Sequence, residues 1–247
     1  MREREWSHKQ TLLRIKSDSE EAIQASIEAS YEARKDLEKF ISDYPEFKDS
    51  LEPLNMKRGE HPRIIDLMIR AGEIAEIGPF SAVAGTISQI AAESGFNSGA
   101  KNIMVDNGGD IEIIGRKDFK VGIYAGESQI SGRLILSIKA EELPAGVCTS
   151  SSTVGHSMSF GNADAVVVTS NEASISDAAA TSIANEVAGE EVESSVKKGL
   201  DKADDISEIR GCMVVREDYV GTVGKLPDIN LLREGEEVKP PELENQV

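Results

Sequence analysis

The chain has 247 residues, of which 39% are hydrophobic and 29% are charged, so it is long enough to bury a sizeable core. Its formal net charge of −17 excludes nucleic-acid backbones and anionic membranes as natural partners, because both would repel it. No run of about 18 apolar residues occurs, and the charged residues 1–5 do not begin a signal peptide. We therefore expect a cytoplasmic globular protein.

The first part of the chain predicts a strand followed by helices. Residues 11–16 are β-like, and the polar stretch 17–20 then offers a helix cap. A long amphipathic helix follows to about Ile41, before a proline. Apolar residues at helical spacing indicate another helix at 63–77, and the small, apolar run at 81–92 predicts a buried segment.

The second part changes to strand-like alternation. Residues 102–106 and 111–114 flank the turn 107–109, whose two glycines supply the positive φ that a tight hairpin needs. The later elements are predicted as strands at 120–124, 133–138 and 163–168, helices at 174–187 and 190–202, and strands at 209–215 and 220–223. We predict one α+β domain over 1–232 and a mobile acidic tail over 233–247.

The two cysteines, Cys148 and Cys212, are expected to be free thiols, since the chain has no export features. Two thiols are also too few for a four-thiolate zinc site. Cys212 lies in an apolar run and is predicted to be a small buried hydrophobe. Cys148 is flanked by turn formers and hydroxyls, which predicts a more exposed thiol.

Asp177 and Thr181 are the first candidate site residues. They are four residues apart in an alanine-rich helical segment, so the carboxylate and the hydroxyl share one helix face. An oxygen-only pair suits Mg²⁺, which takes the rest of its ligands from water and substrate phosphates. The alternative is a capping carboxylate near the helix start and a threonine that faces the core.

Two further segments carry polar groups that could join this site. The Gly108-Gly109-Asp110 segment would let a ligand approach the backbone closely, or it is simply a hairpin turn. No dinucleotide-binding glycine fingerprint and no phosphate-binding loop occurs. His156 follows a glycine in a polar loop, which suits proton transfer, although an idle surface histidine is the alternative. Ser150 and Ser151 could join this site, or their hydroxyls could simply hydrogen-bond to backbone groups in a turn.

Taken in order, these motifs resemble the ApbE-like FAD:protein FMN transferases. The shared pattern is a small-residue helix ending in glycine, a strand into Gly-Gly-Asp, a Thr-Ser loop, a valine-rich strand and Asp-Ala-x-x-Thr on a helix. In this chain the five segments are 81–85, 108–110, 149–151, 165–169 and 177–181. The resemblance extends from about residue 8 to residue 190. It implies a T-fold-like domain of mostly antiparallel sheets packed with helices.

The resemblance also implies a site. Asp177 and Thr181 would bind Mg²⁺ beside the pyrophosphate of FAD or a related FMN-containing cofactor, and His156 would be the candidate base. The implied cofactor contacts are Gly108, Gly109, Asp110, Thr149, Ser150 and Ser151. The family transfers an FMN phosphoryl group to a threonine or serine of a target protein, while the metal neutralises charge on the leaving phosphate. A protein partner and self-association remain open.

The chain departs from that family at Ala84, where a lysine is usual, and at 156–161, where a histidine-containing segment is shortened. Residues 148–157 more closely resemble the signature of a compact, cytoplasmic, archaeal-type branch connected with sulfur assimilation into homocysteine. This implies an alternative function, sulfur transfer through Cys148 as a catalytic thiol, provided that something lowers the pKa of the thiol. A third alternative is a non-catalytic binding protein.

Overall fold

The computed structural model describes residues 1–125, 128, 131–151 and 161–232. In these residues, helices cover one face of a large antiparallel sheet and a small sheet packs on the other face. The helices are α1 (Glu20–Asp43), α2 (Glu46–Asp49), α3 (Arg63–Ala75), α4 (Val83–Asn97), α5 (Ala173–Glu186) and α6 (Val192–Asp205). The predicted α+β fold class is therefore confirmed.

The strands form two sheets in which every neighbouring pair is antiparallel. The large sheet has the order β1-β2-β3-β4-β7-β8-β9-β10, and the small sheet has the order β11-β6-β5. The strands are β1 (Arg2–His8), β2 (Thr11–Ser17), β3 (Ile103–Asn107), β4 (Asp110–Ile114), β5 (Phe119–Ile123), β6 (Leu134–Ile138), β7 (Ala145–Ser150), β8 (Ala165–Ser170), β9 (Ile209–Arg216), β10 (Tyr219–Gly224) and β11 (Asp228–Leu231).

Side-chain alternation divides the large sheet between two cores. Val166 and Val168 of β8 belong to the core under the helices, whereas Ala165 and Val167 belong to the core between the two sheets. Both faces of the central strands are thus buried, which explains their nearly continuous apolar sequences. Cys212 of β9 is fully buried in the helix-side core, as predicted.

Helix α1 holds α4 against the sheet through small and polar side chains. Ser19 caps α1 as predicted, since its hydroxyl accepts a hydrogen bond from the Ala22 N–H at 3.2 Å. Ser26 Oγ donates to the Ala91 carbonyl of α4 at 2.8 Å. A Cβ at Gly95 would lie 2.5 Å from Ser26 Oγ, so glycine is needed for this close approach. None of the described helices is both long and apolar enough to cross a bilayer.

Three strands were not predicted, each for its own reason. β1 alternates arginine and glutamate at the edge of the large sheet and is mostly exposed, so no apolar pattern marks it. β11 is exposed throughout. β7 contains Thr149 and Ser150, which the sequence predicts as part of a Thr-Ser loop, yet it pairs with β4 and β8 in the sheet centre. Tertiary pairing thus decides the conformation of a segment whose hydroxyl-rich sequence favours a turn.

Candidate functional site

The centre of the candidate site is a close contact between α4 and α5. A Cβ at Gly85 would lie 2.3 Å from the Ala173 carbonyl oxygen and 2.7 Å from Asp177 Cβ. Only glycine therefore lets the two helices approach this closely. As a result, the Gly85 N–H donates to Asp177 Oδ2 at 2.8 Å.

Asp177 is 6% exposed and lies in the second turn of α5, so it does not cap its own helix. It accepts hydrogen bonds from the backbone N–H groups of Gly85 and Ala84 at the start of α4, where a negative charge is favourable. Burial nevertheless dominates, and it raises the pKa of Asp177 to about 7. The two backbone hydrogen bonds therefore offset the loss of water only in part.

Asp110 begins β4 and is 8% exposed. Burial raises its pKa well above the usual range, and the charge of Asp177 raises it further. The Cys148 thiol and the Thr149 N–H lie against the same carboxyl and partly oppose this rise. The structure thus brings together Asp110 and Asp177, which are 67 positions apart in the sequence.

Cys148 lies between these carboxyls and the start of α5. It is fully buried, which corrects the expectation of an exposed thiol, and its Sγ donates to the Ala173 carbonyl at 3.3 Å. Burial raises the pKa of the Cys148 thiol well above its ordinary value, and the charges of Asp110 and Asp177 add to the rise. These surroundings therefore oppose the lowered pKa that a sulfur-carrier role requires.

The hydroxyl-bearing residues after Cys148 divide between the two faces of β7. Ser150 pairs with Val166 and shares the helix-side face with Cys148, whereas Thr149 pairs with Val167 and projects toward the core between the sheets. Of Thr149, therefore, the N–H reaches Asp110 while the side chain lies on the other face of the sheet, and its contact with a cofactor stays a prediction.

Two more residues of this segment belong to the candidate set. Ser151 is buried, and it has an interaction partner. The Ser150 hydroxyl is buried and has no hydrogen-bond partner among the described residues. His156 lies outside the described residues, so its role stays a prediction.

The Gly108-Gly109 turn joins β3 to β4 as predicted, with φ values of +71° and +106°. Asp106 Oδ1 accepts the Gly109 N–H at 2.8 Å, and a Cβ at either glycine would meet nothing within 4 Å. Asn107, for which the sequence predicts only a place in the turn, donates from Nδ2 to the Ala84 carbonyl at 3.2 Å. The turn is therefore open on its outer side and anchored to the start of α4.

The start of α5 is held by a second buried carboxyl that the sequence did not reveal. Glu112 Oε2 accepts the Ala173 N–H at 2.6 Å, and Gln89 Oε1 accepts the Ser174 N–H at 3.3 Å. Burial raises the pKa of Glu112 well above its ordinary value. In the sequence, Glu112 belongs to no motif. Only the packing of α5 against β4 shows that its carboxyl holds the start of the helix.

The donor set can be compared with the needs of Mg²⁺. Asp177 and Thr181 lie one turn apart on α5, both largely buried, and Asp110 faces Asp177 across the site. Among the described residues, no three His, Cys, Asp or Glu side chains form a cluster that could hold a metal ion. The oxygen donors of Asp110, Asp177 and Thr181 are of the kind that Mg²⁺ takes, together with water and ligand oxygens. The buried Ser150 hydroxyl, which has no hydrogen-bond partner within residues 1–125, 128, 131–151 and 161–232, fits a polar ligand beside it.

Solved proteins of one structural class share this fold. The fold resembles the flavin transferase ApbE from Vibrio cholerae with a TM-score of 0.55, at 13% identity, over 90% of this chain and 96% of that one. The ApbE protein from Thermotoga maritima gives a TM-score of 0.52, also at 13% identity, over 94% of this chain and 98% of that one. The protein therefore has the ApbE-like fold.

Sequence comparison gives the family. A family model described as AbpE bacteria matches residues 2–225. A UPF0280 protein from Methanococcus aeolicus is 41% identical over 222 residues, which cover 89% of each chain. Another, from Methanothermobacter thermautotrophicus, is 47% identical over 195 residues, 78% of this chain and 75% of the relative. The chain belongs to this ApbE-related family, with the archaeal UPF0280 proteins as relatives.

Proposed function

We propose that this protein binds a flavin dinucleotide, or another phosphate-bearing cofactor, together with Mg²⁺. The observation that carries the proposal is the buried pair Asp110 and Asp177: within the part of the chain that the structure describes, neither carboxyl forms an ion pair with a lysine or arginine, and burial raises the pKa of both. Two carboxylates that are buried together repel each other and lose their hydration, so a bound cation would stabilise their ionised forms.

Each residue has a defined part in this proposal. Asp177 and Thr181 would bind the metal ion, and Asp110 would position the metal or the ligand. The open Gly108-Gly109 turn leaves room for a ligand against the backbone. The bound Mg²⁺ would neutralise charge on a cofactor phosphate.

Transfer of an FMN phosphoryl group to a protein hydroxyl is the activity that we propose for this site. Support comes from the similar fold of proteins named flavin transferases and from the Asp-x-x-x-Thr arrangement on α5. His156 is the proposed base. The target would be a small segment of a partner protein that presents a threonine or serine.

The sulfur-transfer alternative needs a reactive thiolate at Cys148. Burial beside two carboxyls favours the protonated thiol instead. We therefore propose flavin binding as the primary function and assign Cys148 a packing role next to Asp110.

Asp177→Asn tests the proposal, because the amide oxygen still accepts the Gly85 N–H while the metal-binding charge is lost. Purified wild-type protein mixed with FAD should quench flavin fluorescence in a Mg²⁺-dependent manner. We expect Asp177→Asn to weaken binding by at least about a hundredfold, in line with the loss of a charged metal ligand. Asp36→Asn, an exposed change on α1, is the matched control and should bind as wild type does.

Failure of wild-type protein to bind FAD with Mg²⁺ would remove the proposal. Equal binding by wild type and Asp177→Asn would move the site away from α5. Circular dichroism of each variant separates lost binding from lost folding.

A further inference from the structure

A groove of about 370 Å³ lies between the edge strand β1 and helix α1. One residue of the strand and four residues of the helix line it: Trp6, Ile27, Glu28, Tyr31 and Glu32. The four helical residues share one face of α1, because they are spaced three or four positions apart. The groove therefore combines aromatic walls with carboxylates, and its volume falls within the range of binding sites for small groups.

Three aromatic rings form a row along this groove. The ring of Trp6 stacks on His8 with their centroids 6.0 Å apart, and His8 meets the ring of Tyr31 edge-on at 5.2 Å. Tyr31 is 45% exposed, so part of its ring is open to a ligand. The faces of tryptophan and tyrosine rings attract cations. The row of rings thus favours a positively charged group.

The charges that line the groove favour the same kind of ligand. In the described part of the chain, Glu28 forms no ion pair, and its carboxylate accepts a hydrogen bond from Gln24 Nε2 at 2.9 Å. Glu32 has one exposed ion pair, with Lys35 at 3.3 Å, and such pairs contribute little. None of the described lining residues is a lysine or arginine. The net charge of −17 also attracts a basic partner.

Strand β1 also has a free backbone edge. It is the outermost strand of the large sheet, and among the described strands only β2 pairs with it, so its outward N–H and C=O groups are open to another strand. A second copy of this chain is a poor match, because antiparallel pairing about a two-fold axis sets odd positions against odd and even against even. No such register brings an arginine of β1 opposite a glutamate, and full overlap sets the two copies of Glu5 against each other.

We infer that this groove binds a lysine or arginine side chain from an extended, basic segment of a partner protein. The segment would pair with β1 as an added strand. Its cation would lie against Trp6 and Tyr31, with Glu28 and Glu32 as counter-ions. In this mode of recognition, the backbone hydrogen bonds supply affinity and the side-chain pocket supplies specificity.

The groove lies at the end of the sheet that carries the candidate flavin site. A turn after His8 joins β1 to β2, and Leu13 of β2 pairs with Asn107, next to the Gly108-Gly109 turn. Three strand spacings separate β1 from β4, which is roughly 14 Å, and an extended segment of about five residues spans that distance. A docked segment would thus bring a threonine or serine toward Asp110. Only this last step rests on the proposed flavin transfer, whereas binding of the segment does not.

Trp6 is the only tryptophan of the chain, so its fluorescence reports on the groove directly. The probe is the peptide acetyl-Thr-Val-Lys-Val-Thr-amide, titrated into the full chain without FAD. We expect a saturable change in emission, and binding that is weaker by about threefold or more when norleucine replaces the lysine. Acetyl-lysine amide, which has the cation but no strand, should also bind more weakly. No change with the lysine peptide, or equal affinity for either comparison compound, overturns the inference.

Variants at exposed positions test the groove without disturbing the core. The double variant Glu28→Gln/Glu32→Gln should bind the lysine peptide about threefold more weakly or worse. Glu46→Gln/Asp49→Asn, which removes the same charge from exposed positions on α2, should bind it as wild type does. Equal binding by Glu28→Gln/Glu32→Gln and wild type would contradict the assignment. Asp177→Asn should bind the peptide as wild type does, so failure of flavin binding and failure of this inference are distinguishable.

Discussion

Buried carboxyls distinguish this protein at the scale of single residues. Asp110, Glu112 and Asp177 all lie on the helix side of the large sheet, and burial is the largest cause of the raised pKa of each. Asp110 and Asp177 face each other, which suits a cation site. Glu112 differs because its carboxyl accepts the first N–H of α5 and so positions the helix that carries Asp177. The three groups therefore have different tasks within one polar layer.

Glu112→Gln should change how stability depends on pH. Because the folded-state pKa of Glu112 is raised, the unfolded chain loses this proton first as pH rises above about 4.5. The free energy of unfolding of wild type therefore falls between that pH and the raised folded-state pKa. Glutamine keeps the acceptor for the Ala173 N–H but cannot titrate. The free energy of unfolding of the variant therefore lacks this fall with pH.

The measurement is urea unfolding of both proteins from pH 4.5 to 7.5. Relative to wild type, Glu112→Gln should gain about 1.4 kcal/mol for each pH unit within the window. Glu52→Gln, which removes one exposed carboxyl, controls for the change of net charge. If the difference in free energy of unfolding between Glu112→Gln and wild type stays constant across this range, the pKa of Glu112 is not raised in the folded protein and the prediction is wrong.

At the scale of elements, the site depends on how closely α4 approaches its neighbours. Gly85 permits the contact with α5, and Gly95 permits the contact with α1 and β3. The two glycines lie on one helix but serve different interfaces. Only the Gly85 contact delivers a backbone N–H to Asp177. This difference allows the site contact to be tested against a change that disturbs packing alone.

Gly85→Ala should push α4 away from α5, because its Cβ would overlap the Ala173 carbonyl and Asp177 Cβ. We expect a loss of about 1–3 kcal/mol in the free energy of unfolding, together with weaker Mg²⁺-dependent FAD binding. Gly95→Ala should cost similar stability, since its Cβ would lie 2.3 Å from Ile103 Cδ1, yet should bind FAD nearly as wild type does. Thermal unfolding and fluorescence titration of both variants decide the matter, and equal loss of binding in both would refute a specific role for Gly85.

At the scale of the whole molecule, one sheet separates two different surroundings. Its helix side carries the polar layer around Asp177, and its other side packs on the small sheet, where β11 forms an edge. The acidic residues 233–247 follow β11 and contain five glutamates. This charged, proline-bearing composition is the basis of the predicted domain boundary at residue 232.

A chain that ends at Leu232 should therefore unfold within about 2 °C of the full chain, a shift expected for less than about 0.5 kcal/mol. A chain that ends at Gly224 is the control, because it also lacks β11, which pairs with β6 over four residues. That second truncation should lower the unfolding temperature markedly. If removal of 233–247 alone were as damaging, the predicted boundary at residue 232 would be wrong.

The sequence by itself determined the helices α1, α3, α5 and α6, the hairpin at Gly108-Gly109 and the spacing of Asp177 and Thr181, because local periodicity and turn chemistry act over a few residues. Only the tertiary structure decided that Cys148 lies in a buried strand, that Thr149 faces the opposite side, and that Glu112 holds the start of α5. These features arise from contacts between segments that are far apart in sequence. No local pattern records which strand pairs with which, and burial alone changes a carboxyl or thiol from a solvated group into one whose proton is retained.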